Sequence, residues 1–336
     1  MERKKFYLIG RLIFYSAIIG SILYVFSMMF CCKGDVSQKV KSQMMHFETP
    51  DLEEKLKRHV EFLAGKIGER NAFKPQKLQE ASSYIRMFWE NLGLQVFAQT
   101  YELEGKSYEN LWVQIDGKTR PDQIILVGAH YDSVWTSPGA DDNASGVGAL
   151  LEISSDMGKE KPSRSIRFVA FVNEEPPFFQ TENMGSAVYA KEVARKKENI
   201  VAMLSLETIG YFSDKPGSQL YPNFLRWFYP DRGNFIGIVG NLGSRKLVKK
   251  ITRYFQEESD FPIECISAPR FLPGVDWSDQ ASFWDHGYQA IMVTDTAPYR
   301  YPHYHLASDL PNQLNYPAYA RVVDGLMQVI RRLANE

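Results

Sequence analysis

The sequence predicts an α/β protein: a three-layer α/β/α sandwich around a mixed, largely parallel central sheet, preceded by one N-terminal transmembrane helix. Three observations carry this reading. Apolar, β-branched runs of strand length alternate with segments of helical period over most of the chain. Several of those runs stop abruptly at acidic or histidine residues, the end at which open α/β sheets place their sites. At the front, after MERKK and a lone Arg11, residues Leu12 to Cys32 carry no charge.

About 21 residues rising ~1.5 Å each span roughly 30 Å, the thickness of a bilayer's hydrocarbon core. The run ends SMMFCC without a small-x-small cleavage site, and Phe30 before Cys31 argues against a lipoprotein cysteine. An uncleaved signal anchor is expected. Arg3, Lys4, Lys5 and Arg11 should stay cytoplasmic, which places the chain after about residue 33 on the extracytoplasmic side, periplasmic or extracellular. The expected division is 1–11 cytoplasmic, 12–32 anchor, 33–49 polar linker and 50–336 main body. The 336 residues have a formal net charge of −1 and no long basic run past the start, which removes electrostatic support for nucleic-acid binding. Cys265 stands alone in the body, apart from Cys31 and Cys32, so no disulfide can form within it. Nothing in the sequence fixes an oligomeric state.

In the body, Pro50 opens an amphipathic helix with Leu52, Leu56, Val60 and Leu63 on one face, expected to end near Gly65. A second helix runs from about Gln76 to Leu92, stopped by Gly93. Strands are expected at 95–103, 108–115 and 123–129, the first two joined by a short turn at 104–106 and therefore antiparallel. A helix at 145–157 follows, then a strand with apolar core Ile166 to Val172. Further strands fall at 200–206, 233–241, 263–267 and 289–294, with helices at 244–258 and 318–333. Residues 211–232, rich in aromatics and prolines, fit neither period and read as a packed loop.

The chain is organised around GAHYDSVWTSPGADDNASG, residues 128–146. His130 and Asp132 stand at the end of the IILV strand, where a carboxylate can hold the non-ligating nitrogen of a metal-bound imidazole. Asp142 lies between Gly139 and Gly146, small residues that let backbone approach an ion closely. Glu174 and Glu175 end the next buried strand, Glu207 ends another, and His305 sits in the polar loop before the last helix. Imidazoles with carboxylates and no thiolate suit zinc. With Asp142 bridging, two ions would each receive one histidine and one further carboxylate, and a carboxylate not spent on metal would serve as base.

In order, HYD, GADDNASG, NEE, LETIG and HLASD resemble the motifs of the co-catalytic zinc aminopeptidases, peptidase family M28, of the aminopeptidase S and aminopeptidase Y type. The resemblance spans about residues 50–335 and makes the body a zinc peptidase domain. It implies His130 and Glu207 as ligands of one zinc, Glu175 and His305 of a second, Asp142 as the bridge followed by a cis peptide bond, and Asp132 behind His130. It further implies Glu174 as the general base, Tyr304 as a hydrogen-bond donor to the oxyanion, and a helix start at GSAVYA, residues 185–190. Glu207 departs from the family's usual aspartate; the same head group sits on a stem one methylene longer. Gln280 replaces a histidine that is frequent in relatives. The implied activity is hydrolysis of peptides with a free N-terminus. Three further readings stay open: a glutaminyl cyclase-like acyltransferase, a class that shares the HYDS element and uses one zinc; a carboxypeptidase of the same fold; and a catalytically inactive binding ectodomain.

Overall fold

The computed structural model describes Tyr15 and residues 49–336. The segment 12–32 read as a membrane span lies, Tyr15 apart, outside the described residues, and among those described no helix is long and apolar enough to cross a membrane.

Helix α1, Pro50–Val60, carries Pro at its start, Asp51 and Glu53 in its first turn and Lys57 and Arg58 in its last, matching the helix dipole at both ends. It does not stop near Gly65. A wider turn, Glu61–Ile67, continues it because Leu63, Ala64 and Ile67 extend the buried stripe, and the chain leaves the helix at Gly68 with φ of 76°. Helix α2, Pro75–Asn91, buries Leu78, Ala81, Ile85 and Trp89.

Eight strands follow: β1 Phe97–Leu103, β2 Lys106–Ile115, β3 Arg120–His130, β4 Arg164–Phe171, β5 Asn199–Glu207, β6 Ile236–Asn241, β7 Ile263–Ala268 and β8 Ala290–Thr294. They form one mixed sheet in the order β1-β2-β4-β3-β5-β8-β6-β7. The β1–β2 hairpin is antiparallel, as its short turn requires, and β2 is antiparallel to β4. Strands β4, β3, β5 and β8 are mutually parallel, β6 runs against β8, and β7 is parallel to β6. The carboxyl ends of four adjacent strands therefore meet at one edge, and the amino ends of β6 and β7 lie at that same edge.

Helices cover both faces. Helices α3 (Gly146–Met157), α5 (Arg245–Glu258) and α7 (Tyr316–Asn335) join α1 and α2 over one face, packing on Val127, Phe168, Leu204 and Ile238. Helices α4 (Gly185–Arg195) and α6 (Gln280–Trp284) cover the other through Tyr189, Val193 and Phe283 against Leu126, Val169 and Met203. Alternation along each strand sends successive side chains to the two layers. Helix α7 starts at Tyr316 because the Asn315 side chain accepts the amide of Ala318 and Pro317 sits in its first turn.

The fully buried Trp89 donates its indole NH to Ser154 Oγ at 2.9 Å, tying α2 to α3. Trp89→Ala removes a large side chain from a close-packed layer and should cost about 3–5 kcal/mol in urea unfolding; a loss below about 1 kcal/mol would mean that α2 is not part of the cooperative core.

Candidate metal centre

Different elements deliver each candidate side chain to one edge of the sheet. β3 ends on His130 and β5 on Glu207, while β4 runs on through Val172 to Asn173, Glu174 and Glu175. Asp142 comes from the tight turn Ala140–Ser145, and its bond to Asn143 is cis. That turn demands glycine at 139: φ is 64°, and a Cβ there would stand 2.2 Å from the carbonyl oxygen of Asp142. His305 arrives from the loop before α7.

Two triads result. His130 Nε2 is 3.3 Å from Asp142 Oδ1 and 3.1 Å from Glu207 Oε2. His305 Nε2 is 3.0 Å from Asp142 Oδ2 and 3.6 Å from Glu175 Oε1. Asp142 thus belongs to both groups and offers one oxygen to each. Tetrahedral ligands held 2.0–2.1 Å from zinc lie roughly 3.3 Å apart, and the four separations, 3.0 to 3.6 Å, bracket that spacing. Asp142 Oδ1 and Glu175 Oε1 are buried and make no hydrogen bond, as oxygens reserved for a cation would be. Glu174 belongs to neither triad; its Oε2 lies 3.9 Å from His130 Nε2. The Tyr304 ring stacks on that of His305 with centroids 3.8 Å apart.

The ligand loops are held by their own backbone. Asp132 Oδ1 and Oδ2 accept the amides of Glu174 and Glu175, each at 3.1 Å. It stands 3.5 Å from His130 Nδ1, so the carboxylate expected behind the histidine also fixes the next loop. Asp309 accepts the amides of Asp141 and Asp142 at 2.9 and 3.2 Å and the Tyr301 hydroxyl at 2.8 Å. Asn143 donates to the carbonyl of Leu206 and accepts the amide of Thr208, locking the Asp142 turn to the end of β5. Ser278 donates its hydroxyl to Glu207 Oε2 at 2.7 Å, which orients the longer stem of that glutamate.

Arg70 joins this framework without a signal in the sequence. It is fully buried and donates to the carbonyls of Gly68, Tyr131, Pro138 and Gly139, bracing both ends of the His130-to-Asp142 segment. An isolated arginine in a polar stretch gives no periodic signal, so only its GERN context could have marked it.

The electrostatics are those of an anionic pocket built for cations. Burial drives Glu174 and Glu175 well above the ordinary carboxylate range, and Glu207 upward too, partly offset by His130. Asp142 goes the other way: burial alone would raise it, but its contacts with His130 and His305 hold it well below the usual range. Burial opposes the charged form of His130, and Glu207, Glu174, Asp132 and Asp142 overcome this and raise it well above 6.5. Burial lowers Arg70 to about 10, against the pull of Asp309, Asp132, Asp142 and Glu175.

Buried His130, half-buried His305 and buried carboxylates make two cation-sized triads at the edge where the parallel strands end, a donor set that suits the zinc metallopeptidases of the α/β class. The model of peptidase family M28 matches residues 110–330, and the chain belongs to that family. Protein YfbL of Escherichia coli, described as uncharacterized, is 37% identical over 286 residues, covering 82% of this chain and 87% of its own. An aminopeptidase of Pseudomonas aeruginosa is 32% identical over 137 residues, 40% of this chain but 23% of that enzyme. BSAP, a zinc aminopeptidase from Bacillus subtilis, shares the fold with a TM-score of 0.68 at 13% identity, over 84% of this chain and 95% of its own. A glutaminyl cyclase from Fimbriiglobus ruber shares it with 0.62 at 18%, over 86% and 97%.

Around the ligands, burial raises Asp279 and Asp295 to about 7 and Asp309 to about 6. Carboxyls raised on folding favour the native state below their unfolded value of about 3.9 and lose that contribution as pH rises through the folded value. Metal-free protein should therefore lose thermal stability as pH rises from about 4 to 7, and zinc should restore it most at the upper end. Melting temperatures across that range with chelator and with zinc test this; a metal-free profile that is flat or rises would contradict it.

Proposed function

We propose that the protein removes N-terminal residues from peptides, using two zinc ions, from a catalytic domain of residues 50–336 held outside the cytoplasm by an uncleaved anchor at 12–32. One observation carries the hydrolytic part: Asp142 presents an oxygen to each of two complete triads, with Glu174 beside them and outside both. His130, Asp142 and Glu207 would hold one ion, and Asp142, Glu175 and His305 the other. Bound zinc supplies Lewis acidity toward a carbonyl and lowers the pKa of water. A fold shared with glutaminyl cyclases leaves this reading in place, because a second triad would have no task in chemistry that needs one ion.

The residues divide the work. Glu174, kept in place by the hydrogen bond from its amide to Asp132, takes a proton from the attacking water as the C–O bond forms. It returns that proton to the nitrogen as the C–N bond breaks, so the products are a free amino acid and a shortened peptide. Tyr304, packed flat on His305, donates its hydroxyl proton in a hydrogen bond to the developing oxyanion. Buried walls around Glu174 exclude bulk water and keep its basicity raised. Basic residues placed before the uncharged run at the N-terminus support the anchor and its orientation.

The decisive measurement pairs metal content with amino-acid release from free and N-blocked peptides. About two zinc ions per chain and cleavage of unblocked peptides alone are expected, and Glu174→Gln should keep its zinc while kcat falls by about 10²- to 10⁴-fold. Cleavage of N-blocked peptides would rule out N-terminal action, and a fully active Glu174→Gln would rule out Glu174 as base. The anchor predicts that the full chain stays with membranes in alkaline carbonate and that a chain starting at residue 42 is released; recovery of the full chain in the soluble fraction would remove it.

A further inference from the structure

Three large apolar side chains are left exposed on two neighbouring loops. Leu220 and Trp227, 65% and 71% exposed, come from the aromatic stretch between β5 and β6, and Phe271, 87% exposed, from the segment that follows β7. Tyr299 joins the loops: its carbonyl accepts the amide of Leu220, and its hydroxyl donates to the carbonyl of Pro273 at 3.3 Å. Single apolar residues scattered over a surface are ordinary, but three from adjoining loops mark a contact.

Their exposure is built in. At the base of the first loop the Tyr221 and Tyr229 rings stack with centroids 5.7 Å apart, and their hydroxyls donate to the carbonyls of Pro230 and Cys265. Between them the chain turns tightly, the amide of Leu225 bonding to the carbonyl of Pro222 and that of Phe228 to the carbonyl of Leu225. Leu225 is buried, while Arg226 and Trp227 are exposed at the tip, the guanidinium 5.7 Å from the indole centroid.

The chemistry of this loop fits a phospholipid bilayer. LYPNFLRWFYPDR, residues 220–232, combines tryptophan, tyrosine and leucine with two exposed arginines, Arg226 and Arg232, residue types that settle at the level of the headgroups. Its one acid, Asp231, accepts the amide of Gly217 at 3.3 Å. The expected anchor also keeps the body at such a surface. From an anchor ending at residue 32, the polar stretch 33–49 reaches at most roughly 55–60 Å, and a compact body of this length is about 50 Å across. Any face of the body can therefore turn to the bilayer. Tethering makes the contact intramolecular, so a few side chains suffice without a large interface.

We propose that Leu220, Trp227 and Phe271 dock on the phospholipid bilayer that carries the chain's own anchor, with Arg226 and Arg232 at the lipid phosphates. The inference rests on the anchor proposed above and adds the face that the body turns to the membrane. It is tested on the full chain in vesicles of equimolar phosphatidylcholine and phosphatidylserine, with and without bromine near the glycerol end of the acyl chains. Subtracting the emission of Trp227→Phe from that of wild type isolates Trp227. Interfacial side chains sit about 5–10 Å into the headgroup and acyl boundary, so this difference emission should fall by about half or more in the brominated vesicles. Quenching by aqueous acrylamide with no effect of bromine would overturn the proposal, because Trp227 would then face water. Protection from both quenchers would overturn it too, in favour of a contact with a second copy of the chain. If alkaline carbonate strips the full chain from membranes, the anchor reading fails on its own. Flotation with the same vesicles then decides the loops: a wild type that floats and a variant carrying Trp227→Ser and Phe271→Ser that sinks support the docking. A wild type that sinks, or a variant that floats equally, overturns it.

Discussion

Mutual repulsion among buried carboxylates is the constraint that the rest of this structure answers. Asp142, Glu174, Glu175 and Glu207 are all buried around one histidine, within a space that two cations would fill. Left to themselves, such groups would take up protons or force the loops apart. The fold meets this by pinning the loops from outside the two triads. Asp309 accepts the backbone amides of 141 and 142 and Asp132 those of 174 and 175, so these two further acids hold the loops in place. Arg70 adds a buried positive charge and ties four carbonyls with one planar head group. The geometry of the loops is therefore fixed by contacts that lie outside the two triads.

Much of this was legible in the sequence because two periodicities and one positional rule are local. The antiparallel 97–115 hairpin, the apolar runs of β3, β4, β5 and β8 and the helix faces of α3 and α7 are all encoded within short windows. So are four of the candidate site residues, since His130, Glu174, Glu175 and Glu207 fall at the ends of apolar runs. The order of the strands is not local. Nothing in the sequence places β6 between β8 and β7, or turns β6 against β8, and that reversal is what brings Glu264 to the edge where Glu207 ends.

The residues without a sequence signal share a physical reason. Arg70 and Ser278 act through partners dozens of positions away, and each sits in a polar segment with no period to depart from. The aromatic loop 211–232 was readable only as packed against something; one object is β7, where the Tyr229 hydroxyl donates to the carbonyl of Cys265. Helix α1 outran its expected stop because a glycine inside a continuing apolar stripe costs only about 1 kcal/mol, less than the burial of Leu63 and Ile67 returns.

The row Glu207, Thr294, Gly237, Glu264 runs from the candidate metal centre to the edge strand. Because β6 runs against β8 while β7 runs with β6, the hydrogen bonding along that row passes from parallel to antiparallel and back within three steps. The edge strand is thereby tied to the centre by a ladder of mixed direction, in which a slip of β6 would displace β7 with it.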